Sequence, residues 1–418
     1  MQRCDVLIVG AGLAGLWCAR LLAGAGLRVV LVDDRVNVDN RIRTTGIFVR
    51  RTLEDFELPT ECFGAAIRHV TLYSPKLESQ TLESPHAEFR VARMGPLCLS
   101  LLAAASEAGA ECRTGTRCAS VEGVAGGSLA RLTGAYPGLL HARFVIGADG
   151  ARSRVAEWLG LSQNSEWIVA VEEVYHGIPL EGPPILHCIL SPTLAPGYLA
   201  WLVHDGEEVH LGVGGYAEHF DPGAALESLR RQLPVVLDWS QARLMDRRGG
   251  RIPVGGVLPR ISSPQGLLVG DAAGAVSPLT AGGLDPCLRL SELAARVTLE
   301  YLESGDAAAL TPYDGARFRR RFRTRLLLRA LLARLRHPWL LEAACAALRH
   351  FPLNRLASRV FFGRGSFPDV GRFGSSLQRS ASSVHSVLSP RRTTPPIRPG
   401  PWTLDPECSN AERGALER

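Results

Sequence analysis

Three glycine-bearing stretches hold the residues best suited to chemistry. In Gly10-x-Gly12-x-x-Gly15, the first glycine permits a tight turn and the second lets the backbone approach a pyrophosphate. The third lets a helix pack closely on a strand, and the free N–H groups at that helix start attract phosphate charge. Asp33, further along, is suited to accept hydrogen bonds from a ribose diol. The second stretch, Asp149-Gly150, ends an apolar run and offers a carboxylate to a ligand along a sheet edge; an ordinary turn aspartate would look the same. The third is Gly270-Asp271-Ala272-Ala273-Gly274, followed by Pro278 to Gly283. Asp271 can bond a sugar-like ribityl chain, and the small residues beside it let the backbone come close. Amides around Gly282 and Gly283, at a helix start, form a positive concavity suited to the N1–C2=O edge of a reduced flavin. A nicotinamide enzyme needs no such third motif. Two distant glycine motifs serving one extended ligand point to FAD.

These residues need a scaffold. Val6 to Val9 reads as a buried strand, Leu16 to Ala25 as a helix, and Val29 to Val32 as a second strand ending at Asp33, a β-α-β unit. Ile67 to Ser74 and Phe89 to Arg93 read as extended pieces, Pro96 to Ala108 as a helix, Glu111 to Glu122 as a strand pair, and Arg143 to Gly147 as a buried strand. Residues 165–260 change character: strand-like pieces at Trp167–His176, Ile185–Leu190, Tyr198–Val203 and Val209–Gly214 predict an antiparallel sheet forming one wall of a pocket. In an ideal strand Tyr198 and Trp201 point to opposite faces. A helix is expected from Asp285 to Leu302 and further helices beyond residue 311, where Arg321, Arg325, Arg329 and Arg336 share one face. That face reads as solvated, with contact to anionic lipid as the sharper alternative. The resulting organisation is α/β: a Rossmann-like FAD-binding domain in two parts (1–164 and 261–310), an inserted antiparallel-sheet substrate domain (165–260), a C-terminal helical region (311–373) and a tail (374–418) whose Ser, Pro, Thr and Arg content predicts disorder.

Composition narrows the setting. A chain of 418 residues with 46% hydrophobic content can bury a sizeable core. The formal charge of +6 is mild, and no nucleic-acid partner is expected. Lys76 is the sole lysine, so any lysine chemistry would have to use it. The ten cysteines are scattered without metal-ligand spacing; they read as reduced thiols of a cytoplasmic protein, and no metal site is expected.

Taken together, Gly10-x-Gly12-x-x-Gly15 with Asp33, Gly147-Ala148-Asp149-Gly150 with Ser153, and Gly270-Asp271-Ala272-Ala273-Gly274 with Pro278 resemble the three FAD motifs of the p-hydroxybenzoate-hydroxylase-fold superfamily. Val91-Ala92-Arg93, Pro196-Gly197-Tyr198 with Trp201, and Pro278 to Gly283 look most like the geranylgeranyl reductase family within it. The resemblance spans roughly residues 1–360. It implies that Gly10, Gly12, Gly15 and Asp33 hold the ADP half of FAD, that Arg93 approaches the phosphate or ribityl region, and that Asp271 contacts the pyrophosphate or ribityl chain. It further implies that Pro278 to Gly283 line the isoalloxazine, and that Asp149 serves both FAD and a nicotinamide nucleotide. Two segments depart from the family pattern: Val203-His204, where Phe-Pro is usual, and Asp285 to Leu290, where small residues are usual. The leading expectation is a reductase moving hydride from reduced FAD to a C=C bond of an apolar, isoprenoid-like substrate, with Tyr198 and His204 as candidate proton donors. The alternative is a monooxygenase hydroxylating an aromatic or polyketide-like molecule. NADPH or NADH is the candidate electron donor in either case.

Overall fold

The computed structural model describes residues 1–232, 237–350, 353–363 and 367; the expected tail, 374–418, lies outside them. The strand Gln2–Val9 lies inside an eight-stranded sheet, paired in parallel with Val29–Val32 on one side and Gly138–Gly147 on the other. Its apolar run, Val6 to Val9, is buried throughout, as a parallel strand covered on both faces requires. Gly266–Leu268 and Glu111–Arg113 extend the parallel set outward. The helices Leu13–Gly24, Met94–Glu107 and Leu284–Ser304 contribute to one core with these strands. Thr116–Val124 and Gly127–Gly134 form a hairpin that returns antiparallel onto Gly138–Gly147. The expected pair within 111–122 is therefore two strands with different partners. Gly115, at φ +67°, turns the chain from one to the other.

The second sheet has seven strands, in the order Arg243–Pro253, Trp167–His176, Glu208–Gly215, Ala200–His204, Ile185–Ile189, His69–Tyr73, Ser79–Glu83. The expected antiparallel insertion is its larger part. The hairpin His69–Tyr73/Ser79–Glu83 also belongs to it, and Ile185–Ile189 pairs with His69–Tyr73 in parallel. Sequence patterning missed Arg243–Pro253, an exposed edge strand rich in Arg and Gly that carries no apolar alternation. Pairing sets a row of residues across one face: Arg248, Glu172, Gly212, Trp201, Cys188 and Leu72.

Beyond Leu284–Ser304 lie the short helices Gly315–Arg321, Arg323–Arg334, Pro338–Leu348 and Leu353–Phe362. The continuous arginine face is broken at Phe322, and the solvated reading fails for two of its members. The Arg325 side chain reaches inward and donates to Ser277 Oγ (2.9 Å). Arg329 is buried, its guanidinium over the rings of Tyr198 and Tyr216 at 5.3 and 5.1 Å. No helix among the described residues is long and apolar enough to cross a membrane.

Candidate active site

Between the two sheets lies a cleft of about 1200 Å³. Gly10, Gly12, Asp33, Asp149, Gly270, Asp271, Gly282, Gly283 and Tyr198 line it; Gly15, Arg93, Pro278 and His204 do not.

The three glycines of the first motif do separate work. Gly10 sits at φ +108°, and a Cβ there would lie 2.3 Å from the Ala148 carbonyl oxygen. A Cβ at Gly15 would lie 1.9 Å from the Gly10 carbonyl oxygen, so this glycine lets helix and strand touch. A Cβ at Gly12 would meet nothing within 4 Å. Gly12 faces the open cleft at the start of Leu13–Gly24, where no side chain caps the helix and its first N–H groups stay free for an anion.

The three aspartates, alike in sequence setting, differ in their partners. Asp33 accepts from Ala11 N–H (2.6 Å) and from the backbone N–H, Nε and Nη2 of Arg35 (2.9, 2.8 and 3.0 Å). Burial favours its protonation, yet these donors outweigh burial and hold it below the usual carboxylate range. A ribose diol would share Asp33 with Arg35. Asp149 accepts from Ser153 Oγ (2.6 Å) and from the N–H groups of Arg154 (2.7 Å) and Val155 (3.1 Å), at the start of Arg154–Trp158. Burial raises it in spite of these bonds. Its carboxylate is thus committed to the turn. No described residue donates to the Asp271 side chain, and burial alone raises it to about 6.

Residues 277–283 form a tight loop closed by Ala281 N–H to the Ser277 carbonyl (2.9 Å) and Ser277 N–H to the Gly282 carbonyl (3.0 Å). Ala281 takes φ +51°, a left-handed conformation unusual for a residue with a Cβ. Pro278 faces Gly256 rather than the cleft. Gly283 precedes Leu284–Ser304 without a side-chain cap, so free N–H groups face the cleft.

Three expectations need correction. Arg93 donates to Glu207 (2.7 Å) and to the Glu61 carbonyl (2.8 Å), away from the cleft. His204 is buried on the far side of Ala200–His204, bonded at Nε2 to the Ile178 carbonyl (2.8 Å), with Nδ1 accepting from Gly206 N–H (3.0 Å). Strand alternation explains it: Trp201 and Val203 face one way, His204 the other. Tyr198 and Trp201 do not oppose each other, because Tyr198 precedes the strand, in a turn with Gly197 at φ +71°. Both line the cleft. The Tyr198 hydroxyl donates to the Thr280 carbonyl (2.8 Å), and burial pushes its pKa well up, so it braces the loop.

Sequence reasoning missed a polar group in the sheet wall. The Glu172 side chain is buried and accepts from Trp201 Nε1 (2.9 Å) and from the Thr45 hydroxyl, with Arg248 Nε at 3.4 Å and His210 Nδ1 at 3.6 Å. Burial opposes its ionisation, but His210 and Arg248 hold it below its ordinary range. The acids Glu172 and Glu173, inside an otherwise apolar strand, were the available signal. Part of the remaining lining is apolar: Leu72 and Leu186 of the second sheet, Leu199 just before Ala200–His204, Leu328 and Leu332 of Arg323–Arg334 and Leu335 just after it, while Arg41, Arg43 and Arg325 also line the cleft.

This geometry fits FAD: an open approach at Gly12, two uncapped helix starts, and an unpartnered carboxylate at Asp271. Residues 3–191 match the family model described as an FAD binding domain. A digeranylgeranylglycerophospholipid reductase of Methanothrix thermoacetophila is 27% identical over 325 residues, 73% of this chain and 80% of that protein. A geranylgeranyl bacteriochlorophyll reductase-like structure from Thermoplasma acidophilum superposes with a TM-score of 0.77 at 22% identity, covering 92% of this chain and all of that one. A p-nitrophenol 4-monooxygenase from Pseudomonas putida gives 0.64 at 17% identity over 94% of this chain and all of its own. The chain is an FAD-dependent oxidoreductase. Over about three quarters of its length it is similar to digeranylgeranylglycerophospholipid reductases.

Proposed function

We propose that the protein saturates a carbon–carbon double bond of a long, apolar, isoprenoid-like substrate. The observation that carries this reading is the leucine-lined arm of the cleft. Leu72 and Leu186 of the second sheet, Leu328 and Leu332 of Arg323–Arg334 and Leu279 to Gly283 all line it. When bound, FAD supplies the hydride. Gly12, Asp271 and the amides at Gly282 and Gly283 hold and orient it, Asp33 meets its ribose alongside Arg35, and Tyr198 holds the loop beneath it. The leucines favour an apolar chain over a polar one. The reductase relatives support the same substrate class.

NADPH or NADH is proposed as electron donor; the exposed Arg41, Arg43 and Arg152 at the cleft offer charge for its phosphates. Leu327, Leu331 and Trp339, exposed on the C-terminal helices, are proposed to touch a lipid surface from which the substrate enters. The test is to reduce the protein without oxygen and add geranylgeraniol. Oxidation of the flavin with a saturated product by mass spectrometry is expected. A flavin that returns only with oxygen, and that then hydroxylates an added aromatic substrate, would move the assignment to the monooxygenases that share this fold.

A further inference from the structure

Saturating a double bond takes a hydride and a proton, and walls of leucine have no proton to give. We propose that a buried chain, Glu208–His210–Glu172–Thr45, carries this proton through the substrate sheet into the cleft; the proposal rests on the reductase reading above. The chain has an outlet at each end. Thr45 and Glu172 line the cleft, His210 is only 2% exposed, and the Glu208 side chain is 24% exposed to solvent. Thr45 donates to Glu172, whose Oε1 lies 3.6 Å from His210 Nδ1. His210 Nε2 lies 3.8 Å from both Asp205 Oδ2 and Glu208 Oε2. These are ion-pair separations that a small movement on substrate binding closes to hydrogen bonds.

Register builds this path. Glu172 pairs with Gly212, so Gly212 and His210, two residues apart on one strand, share its face of the sheet. Gly212 leaves room for Trp201, whose ring atom Cζ2 would lie 2.1 Å from a Cβ there, and Trp201 steadies Glu172 through Nε1. Asp205 uses Oδ1 for its own turn, accepting from the N–H groups of Glu207 (2.9 Å) and Glu208 (2.6 Å), and turns Oδ2 to His210. The charged groups facing His210 are Glu172 from Trp167–His176, Asp205 from the turn, Glu208 from its own strand, and Arg248 from Arg243–Pro253, itself 3.4 Å from Asp246. The carboxylates outweigh burial and Arg248 and raise His210 to about 9, so the ring is charged at neutral pH. Buried charges are a poor way to stabilise a sheet, which favours a working role.

In the transfer, His210 gives its Nδ1 proton to Glu172 Oε1, the Glu172 carboxyl turns to bring that proton to Thr45, and the Thr45 hydroxyl turns toward the substrate. The Thr45 O–H bond breaks as the new C–H bond forms, and the Thr45 oxygen takes the Glu172 proton. The neutral ring keeps its Nε2 proton and turns over, so that the bare Nδ1 faces Glu208, which passes it a proton from water. With the hydride, the substrate gains two hydrogens and two electrons.

Two measurements test this. In anaerobic single turnovers with geranylgeraniol, Thr45→Val and Glu172→Gln should slow flavin oxidation about 100- to 1,000-fold at unchanged substrate affinity and unchanged reduction by dithionite. Glu208→Gln should slow it less. The wild-type rate should fall as pH rises through about 9, and this limb should vanish in His210→Gln. Independently of substrate, NMR titration of the histidine rings, with His210 assigned by its loss in His210→Gln, should give a midpoint near 9 that drops by about a unit or more in Glu172→Gln. A midpoint near the ordinary histidine value overturns the relay whatever the substrate is. So do Thr45→Val and Glu172→Gln proteins that turn over at the wild-type rate. Failure of the wild type to reduce any polyprenyl alkene overturns the reductase reading, and the relay with it as a path to substrate; a midpoint near 9 would then leave His210 as a buried charge only.

Discussion

Replacing Asp271 should move stability and cofactor affinity in opposite directions. Its carboxyl is recessed in the cleft with no described donor, and burial raises it from 3.8 to about 6. A shift of about two units amounts to about 3 kcal/mol held against the ionised form. The sign follows from linkage: the folded-state pKa lies above the unfolded value, so folding is penalised when the group ionises. The penalty is absent below the unfolded value, grows as pH rises through the interval up to about 6, and is full at neutral pH. FAD-free Asp271→Asn protein should therefore exceed wild type in stability by up to about 3 kcal/mol near pH 7.5, and by clearly less near pH 5. Cofactor binding reverses the ranking. A hydrogen bond to an ionised acceptor contributes about 1.5–3 kcal/mol, so Asp271→Ala should weaken FAD binding about 10- to 150-fold. Wild-type affinity should also fall as pH drops through about 6, where the carboxyl loses its charge and becomes a weaker acceptor. Urea unfolding of the stripped proteins at the two pH values, with FAD titration by fluorescence quenching, measures both halves. Equal stability near pH 7.5 together with FAD affinity within about twofold of wild type would refute the assignment of Asp271 as the unpartnered acceptor.

Two glycines of one motif should separate by assay. Gly12→Ala should fold with near wild-type stability and purify colourless, because its Cβ meets no protein atom but enters the pyrophosphate path; Gly15→Ala drives a Cβ to within 1.9 Å of a carbonyl oxygen and should lose about 3 kcal/mol in urea unfolding. Arg93→Ala should leave FAD affinity unchanged in the same fluorescence titration, since its guanidinium serves Glu207 and Glu61 at the surface. Gly212→Ala should keep its FAD but displace the Trp201 ring, seen as altered tryptophan emission, at a stability loss of about 1–3 kcal/mol and with loss of substrate turnover.

The nucleotide half of this site was legible because its constraints are local. A strand buried on both faces must be apolar throughout, and a helix that touches a strand must carry glycine at the crossing; Val6 to Gly15 states both within ten residues. The substrate half is written in register. Arg248, Glu172, Gly212 and Trp201 come from four strands, and only their pairing brings them into one row. One residue's difference in parity separates Trp201 in the cleft from His204 behind it. Helical spacing likewise tells which arginines share a face and not which way that face looks, so Arg325 and Arg329 turned inward where solvent was expected. The aspartates mark the boundary most clearly. Asp33, Asp149 and Asp271 each follow a strand beside glycine or a turn, and the chain alone does not tell which of them already has a donor. Their donors distinguish them: Arg35 fills Asp33, a helix start fills Asp149, and nothing described fills Asp271. A carboxylate left buried without a donor is unfavourable until something arrives to bond it. That makes Asp271 the residue whose chemistry speaks most directly for a bound cofactor.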